Sequence, residues 1–175
     1  MSKSRIVEID LDTARGLWEL AEGRNSSKPK SSDRKRSPLW KGVTVDYLGL
    51  KGEHGAAAFL GVEYDRGIYL TGDAGFDLVL PNGVPAIVKF NHRRGGYFMI
   101  ERERDFVHPI GILVDGECAP PERCDCPSTP AEVAACRVRV VGWIHRDRFW
   151  KQRHVADWGL GTRWYVYQRE LNDAS

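Results

Sequence analysis

Asp77 and Lys89 are the residues whose types and placing first suggest chemistry. Each stands in an otherwise apolar run, Phe76-Asp77-Leu78-Val79-Leu80 and Ala86-Ile87-Val88-Lys89-Phe90, and the runs flank Pro81-Asn82-Gly83. A carboxylate so placed can hold a hard divalent cation. A lysine beside it can orient or activate water, or stabilise developing negative charge. The plainer reading is a structural Asp–Lys pair at a sheet surface, or two separately solvated residues. Burying either charge alone is costly, so both require an explanation. Glu53 is the third candidate, in the small-residue run Gly52-Glu53-His54-Gly55-Ala56-Ala57-Ala58.

The elements that must position these groups follow from local pattern. Asn82-Gly83 is a hairpin signal, because both residue types tolerate positive φ. Alternation along the strands puts Phe76, Leu78 and Leu80 on one face, Asp77 and Val79 on the other, and Ile87 with Lys89. Residues 46–60 predict a helix with Asp46 as N-cap. Glycine weakens a helix, so Gly49, Gly52 and Gly55, three apart, imply close packing on a sheet. Glu53 then sits at the edge of the packed face, or is simply exposed.

In that order, helix with Glu53, strand with Asp77 and strand with Lys89 resemble, over residues 46–90, the core of the PD-(D/E)XK or restriction-endonuclease-like nucleases. The likeness is to a small phage-type member. Ile110–Gly116 and Val140–Ile144 resemble later strands, loosely within residues 10–170. The resemblance implies an α/β (or α+β) fold with a central mixed sheet flanked by helices. It also implies a divalent-metal-dependent DNA nuclease, a hydrolase of phosphodiester bonds. Glu53 and Asp77 would bind Mg2+ or Mn2+, with the Val88 carbonyl as a further ligand, and Lys89 would position water or stabilise the pentavalent phosphate. The family's Glu-x-Lys has Ile87 in place of its glutamate. Isoleucine cannot bind a metal. Either Glu53 or Asp73 stands in, or the chain is an inactive relative that binds DNA or a protein partner.

Charge is unevenly spread. Residues 24–41 hold Arg24, Lys28, Lys30, Arg34, Lys35, Arg36 and Lys41 against Asp33 alone, so +6 of charge lies there. The net +2 of the chain leaves −4 elsewhere. This Ser- and Pro-containing stretch reads as a mobile basic loop, either a solvated linker or a contact to DNA phosphates. It carries no base-specific readout. His92, Arg93 and Arg94 open from the end of the Lys89 strand, as solvated residues or as a proton shuttle and phosphate contacts.

All four cysteines, Cys118, Cys124, Cys126 and Cys136, fall in a Pro-rich insertion over residues 117–136. Four thiolates complete a tetrahedral structural zinc sphere, although C-x5-C-x-C-x9-C is not a common finger spacing. Free thiols and local disulfides are the other readings, the latter disfavoured in a reducing cytosol. A zinc-stapled adaptor is accordingly a third functional class.

The 175 residues, 42% hydrophobic and 29% charged, predict a single domain able to bury a core. No apolar run is long enough to span a membrane and no secretory signal is visible, so a cytoplasmic protein is expected. Oligomeric state stays open, a homodimer included. Near the start of the chain, residues 6–22 predict a short strand or extended arm followed by a helix, with Asp12 as N-cap and Gly23 as C′. Trp18 is expected to pack in the core rather than stack on a base. Residues 97–100, 109–114, 137–144 and 164–167 predict strands, 145–150 a short helix, and 151–162 a loop.

Overall fold

The computed structural model describes residues 5–27, 42–68, 75–92, 94–116, 126–157 and 161–173. In chain order the elements are β1 (Ile6–Ile9), α1 (Leu11–Ser27), α2 (Gly42–Leu60), β2 (Leu78–Val79), β3 (Pro85–Asn91), β4 (Phe98–Ile100), β5 (Ile110–Gly116), β6 (Cys136–His145), α3 (Arg146–Gln152), β7 (His154–Asp157), β8 (Thr162–Val166) and β9 (Asn172–Asp173). The expected mixed α/β architecture is present. The main sheet runs β1-β6-β5-β3-β2, with β9 also on β6, and only the β3–β5 pair is parallel.

The faces of this sheet are covered differently. One carries α1 and α2 over Leu78, Ala86, Val88, Ile112, Val114, Val138 and Val140. The other is covered by a second sheet, β4-β8-β7, and by α3, rather than by the expected flanking helix layer. Ile87 and Leu113 there meet Phe98, Ile100, Phe106 and Phe149. Neighbouring phenylalanine rings stand 5.4–5.6 Å apart at tilted and edge angles, the favoured aromatic arrangement. Trp18 is buried against Tyr47, as expected of a core residue.

Several boundaries depart from the sequence pattern. α1 is capped by Asp10, not Asp12: the Asp10 Oδ1 accepts the Thr13 amide at 2.7 Å. Gly23 does not end the helix. It admits the Ile68 side chain, and α1 continues through Ser27, so Arg24 belongs to a helix and not to the basic loop. α2 begins at Gly42, a turn before Asp46. Residues 154–157, expected as loop, form β7 because they pair with β8. The hairpin turn also differs. Pro81 fixes φ near −65°, Gly83 bonds back to the Leu80 carbonyl at 2.8 Å, and of the turn residues only Gly83, at φ +82°, has positive φ. This is a type I turn closed by a left-handed glycine, the usual three-residue hairpin.

Close approach of α2 to the sheet is what the glycines permit. A Cβ at Gly52 would lie 2.8 Å from the Phe90 Cβ, and one at Gly55 would overlap Val138. Gly52 and Gly55 face the sheet, and Glu53 between them is carried down with the helix to the sheet edge.

Candidate active site

Asp77 lies just before β2, where that strand begins to pair with β3. Its amide donates to Ala86 O at 3.0 Å and its carbonyl accepts the Asp65 amide at 3.0 Å. Its Oδ2 accepts the Val88 amide at 2.5 Å. The side chain therefore takes a ladder position beyond the short β2 strand. The N–H and C=O of a strand residue leave the same edge, so the Val88 carbonyl emerges on Asp77's side of β3.

Glu53 comes to this place from α2. It is 9% exposed, and its carboxyl is pushed up to about 8, first by burial and then by the negative charge of Asp77. Arg24 and Asp65 act on it in opposite directions, Arg24 lowering and Asp65 raising. Arg24 is a rigid neighbour: its Nη1 meets Glu53 Oε2 at 3.4 Å, its Nη2 donates to Asp65 O at 2.6 Å and its Nε to Gly67 O at 3.1 Å. One guanidinium, shared among three acceptors, does not offset the burial of Glu53 beside a second carboxylate.

Thus the sequence-predicted acids Glu53 and Asp77 are brought together. Lys89 is not joined to them. It follows Val88 in β3, but its side chain shares the face of Ile87, opposite the α2 face. It is half-buried, and its side chain makes no hydrogen bond or ion pair with the described residues. Ile87 is buried in the second core, so the position of the missing glutamate is filled by packing. Arg94 is exposed on the following turn and His92 is half-buried. Lys28, Lys30, Arg34, Lys35, Arg36, Asp73, Arg93, Cys118 and Cys124 lie outside the described residues.

A hard cation suits a buried carboxylate, a half-buried one and a nearby carbonyl in donor type. Among the described residues no third His, Cys, Asp or Glu completes a metal-holding group with them. Cys126 and Cys136, both half-buried, act on Tyr47, whose hydroxyl is pushed up first by burial and then by these two cysteines. Thr44 Oγ1 donates to Pro127 O at 2.9 Å, so the end of the Cys-rich segment docks on α2.

Sequence reasoning missed several groups. Arg24 was hidden by the apparent helix stop at Gly23, and Asp65 by an irregular run. Lys51 is buried with its Nζ over the Tyr47 and Phe90 rings at 5.6 and 5.7 Å. Asp115, fully buried, is held by Arg139 at 3.0 and 2.5 Å and by Gln168 at 3.2 Å. The signal for that site was an acid inside the apolar run Ile110–Gly116.

The fold and site define a mixed α/β protein with a buried glutamate beside a half-buried aspartate at a sheet edge. No protein-family model matches the chain, and no curated protein or solved structure matches it either. Among the described residues no helix is long and apolar enough to cross a membrane.

Proposed function

We propose that the chain is a divalent-metal-dependent nuclease of the PD-(D/E)XK type, hydrolysing phosphodiester bonds in DNA. The observation that carries this reading is Glu53 buried beside Asp77, whose carboxylate is locked onto the Val88 amide one residue before Lys89. In this reading Glu53, Asp77 and the Val88 carbonyl hold Mg2+ or Mn2+. The cation supplies a polarised phosphate and a more acidic bound water. Asp77 is held in place by β3 and by residue 65, and Arg24 fixes the carboxylate of Glu53. Lys89 leaves the opposite face of its strand, so in this reading its positive charge serves the bound DNA backbone and not the scissile phosphate. Lys28, Lys30, Arg34, Lys35 and Arg36, with Arg93 and Arg94, supply phosphate contacts. A structural zinc on Cys118, Cys124, Cys126 and Cys136 is a separate part of the proposal, supported by Cys126 and Cys136 sharing Tyr47 as a neighbour. Metal analysis of protein purified without chelator tests it.

A second reading is favoured by Arg24 and Ile87. Arg24 already occupies Glu53 as a counter-ion, and Ile87 is committed to a core. In that case the chain is an inactive nuclease scaffold that binds DNA or a protein partner. Supercoiled plasmid and single-stranded DNA, incubated with Mg2+, Mn2+ or EDTA, separate the two. Metal-dependent cutting lost in Asp77→Asn and weakened in Lys89→Ala supports the nuclease. No cutting by folded protein under any condition leaves the binding scaffold.

A further inference from the structure

We infer that the outer face of the second sheet is a stacking platform for unpaired nucleotides, which makes single-stranded or frayed DNA the substrate class of the nuclease proposed above. The inference takes the identity of the polymer from that reading.

Phe98 and Ile100 of β4 and Val166 of β8 point into the second core. By alternation Tyr97 and Met99, and Arg163 and Tyr165, stand on the outer face. Tyr167 follows β8, and His154 of β7 pairs with Tyr165. Three tyrosines and a histidine thus gather on this face, Tyr97 39% exposed and Tyr165, Tyr167 and His154 half-buried. Tyr97 lies 4.9 Å from Tyr165 and 5.4 Å from Tyr167, ring centre to ring centre. His154 lies 4.9 Å from Tyr167 and 5.4 Å from Tyr165. The Arg169 guanidinium covers Tyr167 at 4.5 Å.

The charge on this face is balanced, with Arg163 and Arg169 against Glu101 and Glu170. Its carboxylates are engaged within it: Glu101 with Arg163 at 3.7 Å, and Glu170 with His154 at 3.0 Å and with the Tyr167 amide at 2.7 Å. Arg169 has no carboxylate within ion-pair distance among the described residues. Aromatic rings beside an uncompensated arginine can take single strands, because every base offers a π face and every linkage a phosphate. A closed duplex hides its base faces from such a surface.

The platform adjoins the carboxyl end of β3 at Asn91, while Glu53 approaches from α2 on the opposite face of the main sheet. Asn91, two residues beyond Lys89, packs its side chain against Gly96, next to Tyr97, so tightly that a Cβ there could not fit. Asn91 pairs across the sheet with Asp115, and Asp115 accepts from Gln168, the neighbour of Tyr167. The carboxyl ends of β3 and β5 therefore hold both sides of the tyrosine cluster.

Fluorescence polarisation tests this with labelled oligo-dT and a hairpin duplex of equal length, in EDTA and on an Asp77→Asn background. Oligo-dT is expected to bind more tightly than the duplex. Tyr97→Ala and Tyr165→Ala should each weaken oligo-dT binding about tenfold, while Tyr97→Phe and Tyr165→Phe retain it. The strand comparison needs no variant, so a folding defect cannot mask it. Equal binding of both forms, or alanine variants that bind like the parent, overturns the platform. Metal-dependent plasmid cleavage without single-strand binding would leave the nuclease reading and remove this one. Tyrosine-dependent single-strand binding without cleavage would do the reverse.

Discussion

The Asp77 carboxylate takes the place of a backbone acceptor for the Val88 amide, at 2.5 Å. One side chain thereby serves the sheet and the candidate site together, and two substitutions separate those roles. Asn keeps an acceptor oxygen but loses the charge. Asp77→Asn should retain stability in urea titrations while metal-dependent cleavage falls by roughly two orders of magnitude. Asp77→Ala should lose cleavage and, by orphaning the Val88 amide, about 1–3 kcal/mol as well. Equal stability of the two variants would contradict the ladder role.

Glu53 gives a pH dependence. Its folded carboxyl is pushed up to about 8 from an ordinary 4.5 by burial and by Asp77. The folded state therefore binds this proton more tightly than the unfolded one. Its contribution is complete below the unfolded value and is lost as pH rises through the folded value. In EDTA, urea midpoints should decline between about pH 5 and about pH 8, and Glu53→Gln should flatten that decline. Parallel slopes in the two proteins would remove Glu53 as the cause.

Asp115 is completely buried, and Arg139 is its main counter-charge. Breaking a buried pair strands the remaining charge. Arg139→Ala should cost about 3 kcal/mol in urea unfolding. The exposed Arg5–Asp173 pair at 3.0 Å is the control, and Arg5→Ala should cost under about 1 kcal/mol. Comparable losses at the two sites would mean that Asp115 is not held as described.

Gly55 and Gly16 should respond with opposite signs to alanine. A Cβ at Gly55 overlaps Val138, and overpacking costs about 1–3 kcal/mol. At Gly16, within α1, a Cβ meets nothing within 4 Å, so the better helix former should add up to about 1 kcal/mol. Thermal melts of Gly55→Ala and Gly16→Ala check both. A neutral Gly55→Ala would mean that α2 can lift from the sheet at little cost.

The chain's own order of residues determined most of the local structure. Alternation around Pro81-Asn82-Gly83 specified a hairpin, and a run of glycines and alanines specified a helix pressed against a sheet. These patterns are local, because turn chemistry and side-chain periodicity act over a few residues. Apolar spacing also marked Trp18 as core. Helix ends were less legible, since Gly23 serves packing with Ile68 rather than termination, and nothing next to it in sequence shows that. β7 was invisible for a related reason: a four-residue edge strand exists only through its pairing with β8.

The candidate site divides along the same line. Residue type and order marked Glu53, Asp77 and Lys89, and the run Ile87-Val88-Lys89 already placed an isoleucine where the resemblance calls for an acid. Only the tertiary structure decided that Glu53 is buried beside Asp77, that Arg24 reaches it from α1, and that Lys89 leaves the opposite face of its strand. The tyrosine face required it too, because Tyr97, Tyr165 and Tyr167 become neighbours only when β4 pairs with β8. Burial and charge act through space, so the raised Glu53 carboxyl and the fully paired Asp115 follow from which segments are packed together, and no short stretch of the sequence contains that information.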